Sequence, residues 1–267
     1  MKKNISSLLR KIGLIKVADD IRFCILFIKT YKIRRHFKKL NPHVVMPPSC
    51  FLYETFSLDY NAYYNKSIDT TKWLVDYFKK YKTLENLKIL DWGCGPGRII
   101  RHLPEYTDKT CQFFGTDYNR KYVKWCHENI PNVSFSVNQL TPPLSFNDNT
   151  FDIIYGISIF THLSKEMHVA WFNELIRVLK PNGMLFITLH GNAFMEKLSL
   201  SDQMLFKNGN LVVKSNTKEG HRTYAAFQPC SFVHELIGDH TLLEHYKGEV
   251  VNNKPQQDVW IIRKVAH

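Results

Sequence analysis

Leu87-Lys-Ile-Leu-Asp-Trp-Gly-Cys-Gly-Pro-Gly-Arg98 decides the fold. Leu87 to Leu90 reads as a short buried strand. It runs into Gly93, Gly95 and Gly97, and Arg98 to Leu103 then starts a helix. Gly93 and Gly95 let the backbone turn sharply and approach a ligand where a Cβ would clash. Asp91 falls at the strand end, where a carboxylate can meet an ammonium group. Downstream, Phe114-Gly-Thr-Asp117 ends the next strand with an acid, which can accept both hydroxyls of a ribose.

Outward from this unit, strand and helix patterns alternate. Gln112 to Gly115 is a strand, followed by a helix over 120–128. Val133 to Val137 alternates as a strand, and Phe151 to Tyr155 is another. A helix over 165–179 leads through the turn Lys180-Pro-Asn-Gly183 to the strand Met184–Leu189, and Asp258 to Arg263 is one more strand. A further helix from about Asp69 puts Trp73, Leu74, Tyr77, Phe78 and Tyr81 on one face. Strands spaced by helices predict an α/β fold, a mostly parallel sheet with helices on both faces.

Two cofactors suit a strand–glycine–helix unit with a downstream acid. A dinucleotide site wants a third glycine where Arg98 stands, and Pro96 removes an amide that a phosphate could use. Adenosylmethionine has no phosphate but carries an α-amino group, which Asp91 can answer. Asp91-x-Gly-x-Gly95-x-Gly97 resembles the first motif of class I, Rossmann-like S-adenosylmethionine-dependent methyltransferases, and Asp117 resembles their ribose-binding acid. The resemblance covers most of 85–190. It implies a doubly wound, mostly parallel seven-stranded sheet with an antiparallel last strand. It also implies a cofactor site drawn from Asp91, Gly93, Cys94, Gly95, Asp117, Tyr118, Asn138, Gln139, Leu140, Gly156 and Ser158. Asn138 and Gln139 stand where an acid is commoner, and amides can still pair with an adenine edge. Ser158 to Ser164, Trp171, Thr188 to Gly191 and Gln257 to Ile261 are similar to bacterial methyltransferases associated with surface-glycan and glycosyltransferase clusters.

Charge separates an arm from the rest. Residues 1–40 hold 12 of the 36 Lys and Arg against Asp19 and Asp20, a net +10 of the chain's +12. Ile5, Leu8, Leu9, Ile12 and Ile15 keep helical spacing. Asp19 reads as the cap of a second helix to about Lys39, carrying Ile21, Ile25, Ile28 and Tyr31. Three readings stand: a helix packed on the body with a solvated basic face, a helix on a membrane surface, or, as the weaker alternative, a nucleic-acid anchor. The apolar run Phe23 to Ile28 is far below the ~20 residues that span a bilayer. Residues 41–68, with prolines at 42, 47 and 48 and then six aromatics, read as a linker and an aromatic segment. That segment either packs a core or forms a lid. Residues 69–267 form the catalytic domain. Six scattered cysteines without a CxxC pair suggest reduced thiols in a cytoplasmic protein, with any membrane contact peripheral at the inner face.

Methyl transfer to a hydroxyl needs a base. His162 follows the fourth strand and is the first candidate, and His190 ends the fifth strand and is the second. Glu166, His221 and Tyr224 are candidates to orient an acceptor. Inserted segments, 41–65 and 192–225, are the expected acceptor-binding parts. His162 and Glu166 lack a third ligand, so no metal is expected. His234, His240 and His245 read as surface or packing residues. The expected reaction is O-methylation of a small molecule or a sugar or glycan. The alternatives are nucleic-acid methylation, or a non-catalytic scaffold that binds the cofactor.

Overall fold

The computed structural model describes residues 15–214, 219–221 and 224–266. The chain divides between Thr70 and Thr71 into two compact units. Of the first helical pattern, residues 5–14 lie outside the described residues.

The first unit contains α1 (Ile15–Lys29), α2 (Tyr31–Leu40), α3 (Ser49–Phe56) and a single turn, Tyr60–Tyr63. Asp19 is not a cap. α1 runs through it, and its carboxylate accepts from the Tyr53 hydroxyl at 2.6 Å. The helical pattern starts earlier than Asp19, so the acid falls mid-helix and serves a tertiary contact. Arg34 is buried where the two helices meet, donating to Phe27 O at 2.7 Å with its guanidinium 3.9 Å from the Phe27 ring. The aromatic segment builds a core: Leu52, Tyr53, Leu58, Tyr60 and Tyr63 pack with Phe37, and Phe23 and Leu26 join from α1.

The second unit is built on seven strands: β1 (Lys88–Trp92), β2 (Gln112–Asp117), β3 (Val133–Val137), β4 (Phe151–Gly156), β5 (Leu179–Leu189), β8 (Thr241–Tyr246) and β11 (Asp258–Arg263). Their order is β3-β2-β1-β4-β5-β11-β8, and only β11 runs against the rest. Two short hairpins complete the strands, β6 (Val212–Lys214) with β7 (Ala225–Phe227), and β9 (Val250–Val251) with β10 (Lys254–Pro255). The order reverses at β1 and β4, so the ligand crevice of a doubly wound sheet falls at the C-terminal ends of these strands.

Both sheet faces are covered, which is why apolar residues of the central strands point to both faces. α5 (Arg120–Asn129) follows β2 and α7 (Leu200–Lys207) lies between β5 and β6. Leu90, Ile154, Leu185, Ile187 and Trp260 face α6 (Lys165–Val178) and α8 (Cys230–Ile237). Ile89, Ile153, Tyr155, Phe186 and Ile261 face α4 (Asn65–Tyr81) through Leu74, Val75 and Phe78. Truncating such a fully buried aromatic to alanine costs about 3–5 kcal/mol.

Three local expectations change. After the glycines comes a 3-10 turn, Ile100–Glu105, because Pro104 cannot extend an α-helix. The Lys180–Gly183 turn is absorbed into β5 through a register shift opposite Phe151 and Ile153, with Asn182 at φ 59°. β8, the small hairpins and α8 carry too weak a pattern to read: Thr241-Leu-Leu-Glu-His-Tyr246 neither alternates nor forms a continuous apolar run.

Candidate active site

The glycine loop is fastened to the end of β2. Gly93 and Cys94 amides donate to Thr116 O at 2.8 and 2.9 Å, and Gly95 N donates to Asp117 Oδ2 at 2.9 Å. Gly95 has φ +54°, and a Cβ there would meet no protein atom within 4 Å. It therefore faces open space in a conformation that disfavours side chains. Gly93, at φ +76°, is bare because Ile159 packs against it.

Beside this loop lies a cleft that opens to solvent. Of the sequence-predicted residues, Gly93, Asp117, Tyr118, Asn138, Gln139, Leu140 and His162 line it. Trp92, Ile159, Leu163, Trp171 and Gly220 complete the lining. Trp171 fixes one wall by donating from Nε1 to Leu140 O at 2.9 Å. Gly220 arrives through long-range pairing that no sequence signal carries. Its amide donates to His162 O, and its carbonyl accepts from the Tyr118 hydroxyl.

Asp91, Cys94, Gly95, Gly156, Ser158 and His190 are not among the residues that line the cleft. Asp91 is buried at the end of β1 beside the Tyr155 hydroxyl, which lies short of strict hydrogen-bond geometry. Gly156 is bare because the Trp92 ring would overlap a Cβ at 2.8 Å. The Ser158 hydroxyl donates to Gln257 Oε1 at 2.7 Å, and the Thr188 hydroxyl donates to the same oxygen at 2.6 Å. His190 stacks on Phe194 at 4.0 Å.

The two histidines share one anchoring scheme. Nδ1 of His162 donates to Tyr224 O at 2.8 Å, and Nδ1 of His190 donates to Ala226 O at 3.0 Å. Each ring thus carries its proton on Nδ1 and presents a lone pair on Nε2. Burial lowers both pKa values, that of His190 to about 4. Gln228 ties this region together, accepting from His190 N and donating to Phe160 O and to His168 Nε2. Glu166 is exposed, and among the described residues no cluster of three metal-ligating side chains occurs.

The cleft suits a nucleoside with an amino-acid tail. Asn138 Oδ1 is buried there without a partner, an acceptor for an adenine amino group. Burial drives the Asp91 carboxyl up to about 7 and that of Asp117 up to about 6. If Asp91 and Asp117 hold the ammonium group and the ribose of a bound cofactor, both must ionise to do so, and its affinity should then fall on acidification through that range. The apo fold moves the other way. Both folded pKa values exceed the ordinary 3.8, so the folded state holds the extra protons and loses stability as pH rises through the window. The rise in melting temperature on adding cofactor should therefore be larger at about pH 8 than at about pH 5.5. The reverse order in a thermal-shift measurement would show that neither carboxylate binds it.

Residues 89–183 match the family described as methyltransferase domain. A 102-residue stretch is 31% identical to sterol 24-C-methyltransferase of Schizosaccharomyces pombe, covering 36% of this chain and 26% of that protein. A 108-residue stretch is 32% identical to the ubiquinone/menaquinone biosynthesis C-methyltransferase of Wigglesworthia glossinidia brevipalpis, covering 38% and 41%. The matched segments thus span about a quarter to two fifths of these curated relatives. Among solved structures, a SAM-dependent methyltransferase from Methanosarcina mazei superposes with a TM-score of 0.57 at 21% identity, covering 72% of this chain and 98% of that one. Residues 89–183 therefore match a methyltransferase domain, and the seven-stranded sheet has the Rossmann-like fold of that solved structure.

Proposed function

We propose that this chain transfers a methyl group from S-adenosylmethionine to a hydroxyl of a small molecule, sugar or glycan, with His162 as the base. The observation that carries this reading is the His162 ring in the cleft wall, with Nδ1 committed to Tyr224 O and Nε2 left as an acceptor. S-adenosylmethionine supplies an electrophilic methyl on an activated leaving group. The protein's own part is alignment, exclusion of water and removal of the acceptor's proton. Asp91 would hold the amino group, Asp117 the ribose, and Asn138, Gln139 and Leu140 the adenine, with Tyr118 beside them. Cys94, Gly95, Gly156 and Ser158 would shape the surrounding loops. His190, one strand over, is the second candidate base.

The glycan version draws support from three motifs that meet in space. Ser158, Thr188 and Gln257, all within the stretches that resemble surface-glycan methyltransferases, join through one amide oxygen at the ends of β4, β5 and β11. The nucleic-acid reading lacks an Asn-Pro-Pro-Tyr-like motif, since Tyr155-Gly-Ile-Ser158 stands there. Transfer of a labelled methyl group should occur to sugar nucleotides or lipid-linked glycans and not to RNA. Labelling of RNA alone would establish the alternative, and binding without turnover on any acceptor would favour a scaffold.

The arm fits peripheral contact with an anionic membrane. Phe23 and Leu26 of α1 turn into the first unit's core. The opposite stripe, Val17, Ile21, Ile25 and Ile28, is 47–73% exposed and flanked by Arg22, Lys29 and Lys32. Apolar surface rimmed by basic residues is the pattern of an interfacial helix. No helix among the described residues is long and apolar enough to cross a membrane. Ile21→Glu/Ile25→Glu should abolish sedimentation with phosphatidylglycerol vesicles, binding that neutral vesicles lack from the start. Equal sedimentation of variant and wild type would remove the membrane reading.

A further inference from the structure

A second constellation of reactive side chains lies outside the cleft. Cys230 opens α8, His245 lies on β8, and Asp258 opens β11. His245 Nε2 donates to Asp258 Oδ2 at 3.0 Å, and Asp258 Oδ1 accepts from Gly248 N at 2.9 Å. With its proton committed to the carboxylate, the ring keeps a lone pair on Nδ1. Cys230 Sγ lies 4.0 Å from that nitrogen. The imidazole is stacked on the Trp260 indole at 3.6 Å and 17°, so it cannot turn away. Gly191 makes room for the carboxylate, since a Cβ there would lie 2.2 Å from its atoms. The side chains of His245 and Asp258 are 11% and 7% exposed, while Cys230 is partly open.

Thiol, imidazole and carboxylate in this order form a nucleophile–base–orienter relay. In the sequence His245 reads as a surface or packing residue and Cys230 as one of six scattered thiols. Nothing in the methyl-transfer reading uses either of them. Burial pushes the Cys230 thiol up, against the pull of Lys247. The resting group is therefore a neutral thiol that needs a base to attack.

We propose that Cys230 is a nucleophile that accepts an acyl group from a thioester, with His245 as its base and Asp258 as the positioning residue. Sγ attacks the carbonyl carbon. The new S–C bond forms as the bond to the leaving sulfur breaks. The thiol proton passes to His245 Nδ1 and then to the leaving thiolate, so no electron or net proton is exchanged. The product is S-acyl-Cys230 and a free thiol.

The test treats the full-length protein with S-phenyl thioacetate and follows each cysteine peptide by mass spectrometry. Cys24 and Cys50 are exposed and serve as internal references. Cys230 should acetylate at least about tenfold faster than either, since a positioned base contributes roughly 10²–10⁴-fold. His245→Gln should remove that advantage while leaving Cys24 and Cys50 unchanged. In His245→Ala, added imidazole should restore part of it, which a purely structural histidine would not allow. Acetylation of wild-type Cys230 no faster than Cys24 and Cys50 would overturn the proposal, and needs no variant. A Cys230 that outpaces them with iodoacetamide but not with the thioester would overturn the acyl assignment.

Discussion

Asp117→Ala should weaken cofactor binding by about 1.5–3 kcal/mol, or roughly ten- to 150-fold in Kd, in a calorimetric titration with S-adenosylmethionine or its demethylated product. The carboxylate ends β2 inside the cleft and carries two tasks. On the proposed reading it offers acceptors to a ribose, and it already accepts from Gly95 N at 2.9 Å and Asn119 N at 2.7 Å. The second task holds the glycine loop in place. Alanine removes both, so the loss should reach the upper part of the range. Asp117→Asn keeps one oxygen acceptor without the charge and should fall between alanine and wild type. An unchanged Kd in the alanine variant would mean that the ribose is held elsewhere. No binding by the wild type would end the methyltransferase reading itself.

The fold was legible because its decisive features are local. A short strand, three glycines and an acid one strand later occupy 31 consecutive positions, 87–117, and each rests on backbone geometry or strand-end placement. The cleft wall formed by Tyr118, Asn138, Gln139 and Leu140 was legible as a place for the same reason, since these residues directly follow β2 and β3. Other features depend on pairs far apart in sequence. Gly220 meets His162 O across 58 positions, and Tyr224 O fixes the His162 tautomer across 62. Neither pairing leaves a periodic or compositional trace. Asp19 misled for a related reason. A cap and a mid-helix acid look alike until the partner, here Tyr53, is known. Exposure of the Ile21–Ile25–Ile28 stripe was equally hidden, because α1 is apolar on two faces and only packing shows which one Tyr53 and its neighbours cover.

His162→Ala should cut methyl-transfer turnover by about 10²–10⁴-fold, the usual contribution of a positioned base, with little change in cofactor Kd. The ring lines the cleft close to Trp92 and Ile159, past the end of β4, on the edge where a doubly wound sheet binds its ligands. Its Nδ1–H is spent on Tyr224 O, which leaves Nε2 to take a proton. Burial lowers its pKa, so the ring is neutral and ready to accept a proton at cellular pH. A lower pKa also makes it a weaker base, which suits proton removal late in the transfer, when the acceptor oxygen has become acidic. His190 is the internal control. It has the same Nδ1 anchoring, but its ring is stacked on Phe194 and it is not among the residues lining the cleft. His190→Ala should therefore cost less turnover than His162→Ala. The loss in His162→Ala should appear in kcat rather than in cofactor binding, because the ring's task arises during proton transfer. A variant that keeps near-wild-type turnover on the true acceptor would make His162 a wall residue only. A larger loss in His190→Ala than in His162→Ala would move the base one strand over, to the end of β5.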